Sequence, residues 1–169
     1  MVNVQEYIDK EYPKGSVCRG DFDQKNSNKR RKEITELDIS DKNLEGILKL
    51  EGFYNLKKLN CSKNKLTKLD LDNLRKLEYF NCEDNQISHL EVSRNKKMVE
   101  LICSGNKLTN LELSGLEQLE KIECVDNNLS NFDYSFLNPD KLTYLNVSDN
   151  DLSEQDLMVF GRFANLETL

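Results

Sequence analysis

Residues 56–66 read LKKLNCSKNKL. The frame they set, L-x-x-L-x-(C/L)-x-x-N-x-L, recurs along the chain and decides the fold. It returns as Leu77, Phe80, Cys82, Asn85 and Ile87, and as Met98, Leu101, Cys103, Asn106 and Leu108. Two further copies are Leu119, Ile122, Cys124, Asn127, Leu129 and Leu142, Leu145, Val147, Asn150, Leu152. A weaker first copy, ITELDISDKNL, places Ile34, Leu37, Ile39 and Leu44 in the apolar slots, with Lys42 in the asparagine slot and Asn43 one place late. A seventh begins at Leu166. Successive copies start 22, 21, 21, 21, 23 and 24 residues apart. A fixed period of this size signals stacked repeats, each too small to bury its own apolar side chains.

The physics of the frame follows from strand alternation. Slots four and six of each copy point inward, while slots three, five and seven point outward. The asparagine of slot nine both donates and accepts, so it can satisfy backbone groups at the bend that leaves the strand. Lys42 cannot accept, which predicts a looser turn in the first copy. A second apolar stripe, for example Leu69, Leu71 and Leu74, forms the return half of each coil. In the last return half, Ser153 and Asp156 read as an N-cap signature, predicting a short helix over 153–162.

The pattern resembles the leucine-rich repeat family over residues 34–169, and its phrasing is closest to short-period arrays of fungal and bacterial proteins. The resemblance implies an α/β solenoid, a right-handed superhelix of about six full repeats. Its parallel β-sheet would line the concave face and its convex side would be mostly extended or irregular. Residues 1–33 would then be a capping helix, begun by Asn3 and carrying Val4, Tyr7 and Ile8, followed by a basic polar segment. The last repeat stops at Leu169 with its core half built. The expectation is therefore a longer natural protein, or a dimer whose contacts cover that end.

Composition narrows the function classes. The chain has 169 residues, a net charge of −6, 32% charged and 37% hydrophobic residues. It contains 26 Leu and 20 Asn. No apolar run is long enough to span a membrane as a helix, and no secretory signal is visible at the start. Cys61, Cys82, Cys103 and Cys124 share slot six, which predicts a ladder of buried thiols rather than a metal site. Such thiols fit a reducing compartment, so the expected location is intracellular and cytoplasmic. Cys18 stands apart and reads as an exposed thiol. His89, the single histidine, has no triad partners near it in sequence, and no Gly-rich phosphate loop, HExxH or EF-hand pattern occurs. The reading is a non-enzymatic chain with no cofactor.

The outward strand slots make a grid. Slot three reads Glu36, Lys58, Tyr79, Glu100, Lys121, Tyr144, and slot five reads Asp38, Asn60, Asn81, Ile102, Glu123, Asn146. Together with slots two, seven and eight, the grid holds eleven acids and four lysines, a balance of −7. This surface repels a phosphate backbone and favours a basic protein or peptide. The candidate partner-binding residues are Lys58, Tyr79, Asn81, Val99, Glu100, Ile102, Glu123, Val125, Tyr144 and Asn146. Among these the apolar side chains are read as exposed hot-spot candidates. The family resemblance implies a protein-interaction scaffold, the recognition module of a longer signalling protein. The alternative is a ligand or nucleic-acid sensor that uses the basic run Lys29, Arg30, Arg31 and Lys32.

Overall fold

The computed structural model describes residues 2–18, 20–21, 23–152 and 157–167. Slots three to five of each copy form a three-residue strand: β2 (Glu36–Asp38), β4 (Lys58–Asn60), β6 (Tyr79–Asn81), β7 (Glu100–Ile102), β8 (Lys121–Glu123) and β9 (Tyr144–Asn146). They make one parallel sheet in the order β2-β4-β6-β7-β8-β9. The register is equivalent slot to equivalent slot, so Lys58 pairs Tyr79, Tyr79 pairs Glu100, and Lys121 pairs Tyr144. This is a parallel-strand solenoid in which each coil gives one strand to this sheet.

The inward slots stack beneath the sheet. Leu59, Phe80, Leu101, Ile122 and Leu145 are fully buried in slot four, and Cys61, Cys82, Cys103 and Cys124 in slot six. Each fully buried side chain of this size contributes roughly 1.5–3 kcal/mol. The four slot-six cysteines are free thiols in a continuous core. Burial pushes the thiols of Cys61 and Cys82 up. Cys103 is pushed up as well, first by its hydrogen bond with Cys124 and then by burial. A thiol raised on folding adds stability below its unfolded value, and that stability drains away as the pH rises past about 9 toward the folded value. The native chain should therefore resist iodoacetamide at pH 8, while chain unfolded in urea reacts at all its cysteines. Mass spectrometry showing rapid native labelling of Cys61 or Cys82 would contradict the buried ladder.

The asparagines of slot nine tie each coil to the one before it. Asn85 Oδ1 accepts from Leu66 N (2.9 Å), and its Nδ2 lies 3.1 Å from Cys61 O and 3.0 Å from Cys82 O. Asn64, Asn106, Asn127 and Asn150 repeat the backward reach to Leu44, Ile87, Leu108 and Leu129. The first coil has no coil behind it, so Lys42 in this slot leaves no such link broken. Its turn is held from ahead, because Asn64 Oδ1 also accepts from Lys42 N (3.2 Å). The extra residue of that coil is absorbed by a second left-handed position, Asn43 at φ 52°.

Slot eight is left-handed in every coil: Asp41, Lys63, Asp84, Gly105, Asp126 and Asp149 all have φ between 51° and 63°. Aspartate and glycine tolerate this region, whereas an ordinary L residue pays about 1–2 kcal/mol there. Lys63, at φ 56°, is the misfit. Lys63→Asn should stabilise the chain by about 1 kcal/mol in urea unfolding; a loss of stability would mean the lysine side chain makes a compensating contact.

The return halves are more ordered at the front than the sequence predicts. β1 (Val2–Asn3), β3 (Leu44–Lys49) and β5 (Lys65–Asp70) form a second parallel sheet in the order β1-β3-β5. Later return halves are irregular, with a 3-10 turn at Tyr134–Phe136. Asn95 replaces the usual leucine of the third return half, is buried, and donates to Leu71 O and Leu74 O at 3.2 and 3.0 Å. The predicted helix over 153–162 is a 3-10 helix at Leu157–Arg162; its proposed cap, Ser153–Asp156, lies outside the described residues. Glu167 N donates to Thr143 O (2.7 Å), repeating the link from Lys57 N to Thr35 O and so starting a seventh coil.

At the front, Asn3 caps α1 (Val4–Glu11) by accepting from Gln5 N and Glu6 N. Val4 and Ile8 of this helix are buried against the first coil. Cys18 is buried too, not exposed. Its backbone pairs with the following loop, donating to Lys29 O and accepting from Asn28 N, which folds the thiol into the core beside Tyr12.

Candidate functional site

The six-stranded face presents the outward grid. Lys58 and Asp38 are exposed, and Tyr79, Asn81, Val99, Glu100, Glu123, Val125, Tyr144 and Asn146 are half-buried. Ile102 differs from the expectation: it is 9% exposed. It sits mid-sheet between Asn81 and Glu123 in register. It belongs to the floor of the face, not to an exposed hot spot. Ser62 and Ser104 of slot seven are buried as well; Ser104 Oγ accepts from Val125 N at 3.0 Å.

Charges on the face partly neutralise one another. Lys121 bridges Glu100 (3.2 Å) and Glu123 (3.4 Å) and lies 5.1 Å from the Tyr144 ring centroid. Burial pulls the Lys121 ammonium down, but the two carboxylates outweigh it and hold the group above its usual value. Lys57 pairs with Glu78 (3.0 Å), and Lys25 pairs with Glu36. Among the described residues, Asp38, Asp41, Glu83, Asp84, Glu120, Asp126 and Asp149 make no ion pair, and neither do Lys58 and Lys63. Seven unpaired acids against two unpaired lysines, with one further carboxylate left over because Lys121 serves two, leave the face with a charge of −6.

The N-terminal end of the face carries relief. There the loop 23–26 overhangs the sheet and opens a cleft of about 240 Å³ lined by Asp23, Lys25, Asn26, Glu36, Leu37, Asp38, Lys58, Asn60 and Tyr79. Asp23 fixes the loop by accepting from Tyr12 Oη (2.8 Å) and Asn26 Nδ2 (2.7 Å), and Asn26 Nδ2 also donates to Glu36 O (2.8 Å). The Lys25 ammonium hydrogen-bonded to Glu36 holds that carboxyl below its ordinary range. The sequence reading missed this cleft because loop and sheet meet only through tertiary packing.

The basic run does not act as a unit. Arg31 is 4% exposed. Its Nε donates to Tyr12 O (2.5 Å), one terminal nitrogen to Glu51 O (3.0 Å), and the other to Ile8 O (3.3 Å) and Asp9 Oδ1 (2.6 Å). Its guanidinium also stacks 5.3 Å from the Phe53 centroid. It is a core bracket and cannot reach a phosphate. Lys29 turns back to Asn26 Oδ1 (3.3 Å). Only Arg30 and Lys32 of the run are exposed. His89 is exposed on the return side, in a shallow cleft with Lys68, Asp70 and Glu91. No group of three His, Cys, Asp or Glu residues poised for a metal occurs among the described residues. No helix among them is long and apolar enough to cross a membrane.

A parallel sheet built one strand per coil, edged by an asparagine ladder, defines a leucine-rich repeat solenoid. Residues 55–77 and 141–163 match the Leucine Rich Repeat family, and the fold of the chain is that of a leucine-rich repeat solenoid. No curated protein matches its sequence. Among solved structures, the functional domain of InlJ from Listeria monocytogenes, which includes a cysteine ladder, is 30% identical with a TM-score of 0.58. That match covers 79% of this chain and 33% of InlJ. An internalin (inlF) from the same organism superposes with a TM-score of 0.75 at 19% identity, over 98% of this chain and 51% of that one. The leucine-rich repeat ectodomain of the receptor kinase SOBIR1 from Arabidopsis thaliana gives 0.64 at 23% identity, over 89% of this chain and 96% of the ectodomain. The chain thus spans a third to a half of the two listerial proteins. Leucine-rich repeat proteins are in general protein-interaction modules.

Proposed function

We propose that the chain is a recognition scaffold that docks a basic protein segment across its six-stranded face. The observation that carries this reading is the uncompensated charge of −6 on a continuous, side-chain-lined sheet, interrupted by the rings of Tyr79 and Tyr144. Acid along the face steers and orients a cationic partner, while half-buried aromatic side chains supply contact area at low entropic cost. Lys58, Asn81, Glu100, Glu123 and Asn146 surround these rings and provide the polar rim. Val99 and Val125 add apolar surface between them. The fold suits an intracellular recognition part of a longer signalling protein, its thiol ladder being compatible with a reducing compartment.

A photo-reactive residue at position 79 should trap a protein partner, and the Tyr79→Asp/Tyr144→Asp chain should retain that partner at least ten-fold less well with unchanged circular dichroism. Undiminished retention by the double variant would sink the reading. Ile102 is unsuitable for this test, because a carboxylate at so covered a position would report on folding instead.

A further inference from the structure

A second cleft, of about 340 Å³, lies away from the strand face, where the basic segment meets the second coil. Its lining is Lys14, Arg30, Arg31, Lys32, Glu51, Gly52 and Tyr54. Lys14, Arg30 and Lys32 against the one carboxylate, Glu51, give +2 in a chain whose total is −6, Arg31 being buried and paired with Asp9. None of these residues belongs to the outward strand grid. The volume falls at the lower end of small-ligand clefts, about 300–1,000 Å³.

Main-chain bonds fix where the cationic side chains leave the backbone. Residues 31–33 form a single 3-10 turn, with Glu33 N donating to Arg30 O (2.8 Å) and Ile34 N to Arg31 O (3.2 Å). Arg31 inside that turn is anchored under α1, so Arg30 and Lys32 on either side of it are turned to solvent. Lys32 is further tied by Asn55 Nδ2, which donates to its carbonyl (2.7 Å), and Asn55 in turn accepts from Lys76 Nζ (2.7 Å). Arg30 and Lys32 make no ion pair among the described residues. Lys14 is paired to Glu51 at 2.6 Å, an exposed bridge that an incoming anion can share. Gly52, at φ +92°, lets the chain turn where Arg31 Cδ stands 3.2 Å from the place of a Cβ. Two residues on, past the buried Phe53, Tyr54 is 54% exposed, an open aromatic ring at the rim of a cationic cleft.

An aromatic face beside fixed cations is the arrangement that receives a base and its phosphate together. We infer that this cleft binds a nucleotide, with Arg30, Lys32 and Lys14 around the phosphate and the base stacked on Tyr54. The same chemistry is offered by a free mononucleotide and by a nucleotide within a single strand. It stands apart from docking on the strand face and survives or fails without it.

The test is titration of the whole chain, at low salt, with adenosine 5′-monophosphate, adenosine, inorganic phosphate and a single-stranded octanucleotide, followed by NMR shifts and calorimetry. The monophosphate should bind saturably, more tightly than adenosine or phosphate alone, and weaken as salt rises. Arg30→Glu/Lys32→Glu should weaken it at least ten-fold, whereas Lys65→Glu/Lys107→Glu, an equal change of charge at exposed sites elsewhere, should leave it within two-fold. Tyr54→Ala should reduce the monophosphate to the affinity of phosphate. Octanucleotide binding ten-fold tighter than the monophosphate assigns the site to a strand, and equal binding assigns it to the free nucleotide. Absence of saturable binding by every probe, equal loss in both charge variants, or indifference to Tyr54→Ala overturns the inference. Unchanged circular dichroism and melting of each variant separate loss of the site from loss of fold.

Discussion

Asn106→Ala should cost about 3 kcal/mol of stability, which lowers the melting midpoint by roughly 6–12 °C for a chain of this size. The estimate comes from asking which partners lose their only hydrogen bond. Asn106 Nδ2 lies about 3 Å from Cys82 O, Cys103 O and Ser104 O. Each of these carbonyls has a second donor: Asn85 Nδ2, Asn127 Nδ2 and Asp84 N respectively. Ile87 N has none, since among the described residues Asn106 Oδ1 at 3.0 Å is its sole acceptor, and Ile87 is fully buried. An orphaned buried amide costs about 1–3 kcal/mol, and the lost side-chain bonds and the small void add to it. Asn150→Ala removes the same bond from Leu129 N, but Asn150 is only half-buried and water can substitute. Its cost should be about a third as large. Amide exchange at Ile87 should speed up far more in Asn106→Ala than exchange elsewhere. Equal losses at Asn106 and Asn150 would show that the ladder is not what joins the coils.

This asymmetry matters because a solenoid has few contacts beyond nearest neighbours. Coil-to-coil links set how much of the sheet persists when one coil opens, and therefore whether the docking face exists as a continuous surface. The asparagine slot thus connects local turn chemistry to the surface on which the proposed docking rests.

The frame was legible because each of its slots is fixed by a period, and a period survives any change in the residues between. Cys61, Cys82, Cys103 and Cys124 fall on one inward line by arithmetic alone. The backward direction of the asparagine link was not legible, since a single copy of the frame shows a bend and not its neighbour. Slot eight read as a column of charge, yet its Asp, Lys and Gly residues share a left-handed backbone, and the aspartates are there as much for conformation as for charge. Ile102 shows the limit of alternation: it assigns a side chain to a face but not how far Asn81 and Glu123 cover it. Cys18 was misread because its burial depends on a pairing with Lys29 and Asn28 that has no periodic signature.

Arg31 carries the same lesson with a larger energetic consequence, and Arg31→Ala should destabilise the chain by about 3–4 kcal/mol. In sequence it is one of four consecutive cations. In the fold its guanidinium brackets the C-terminal end of α1, the loop carbonyl of Glu51 and the ring of Phe53. Ile8 O keeps a second donor in Tyr12 N, so removing the guanidinium orphans the carbonyls of Tyr12 and Glu51 and frees the helix end. Asp9 is not stranded, because it is nearly half exposed and water can solvate it. Arg31→Lys should recover less than half the loss, for an ammonium cannot donate along three divergent directions from a planar fork or stack on Phe53. Thermal unfolding would check the order: wild type, then Lys, then Ala. If Arg31→Lys melts with the wild type, the residue acts as a charge and the bracket is not the reason for its burial. Arg30→Ala and Lys32→Ala, on either side of it, should shift stability by less than about 0.5 kcal/mol, which separates the one cation that builds the cap from the two it holds out toward solvent.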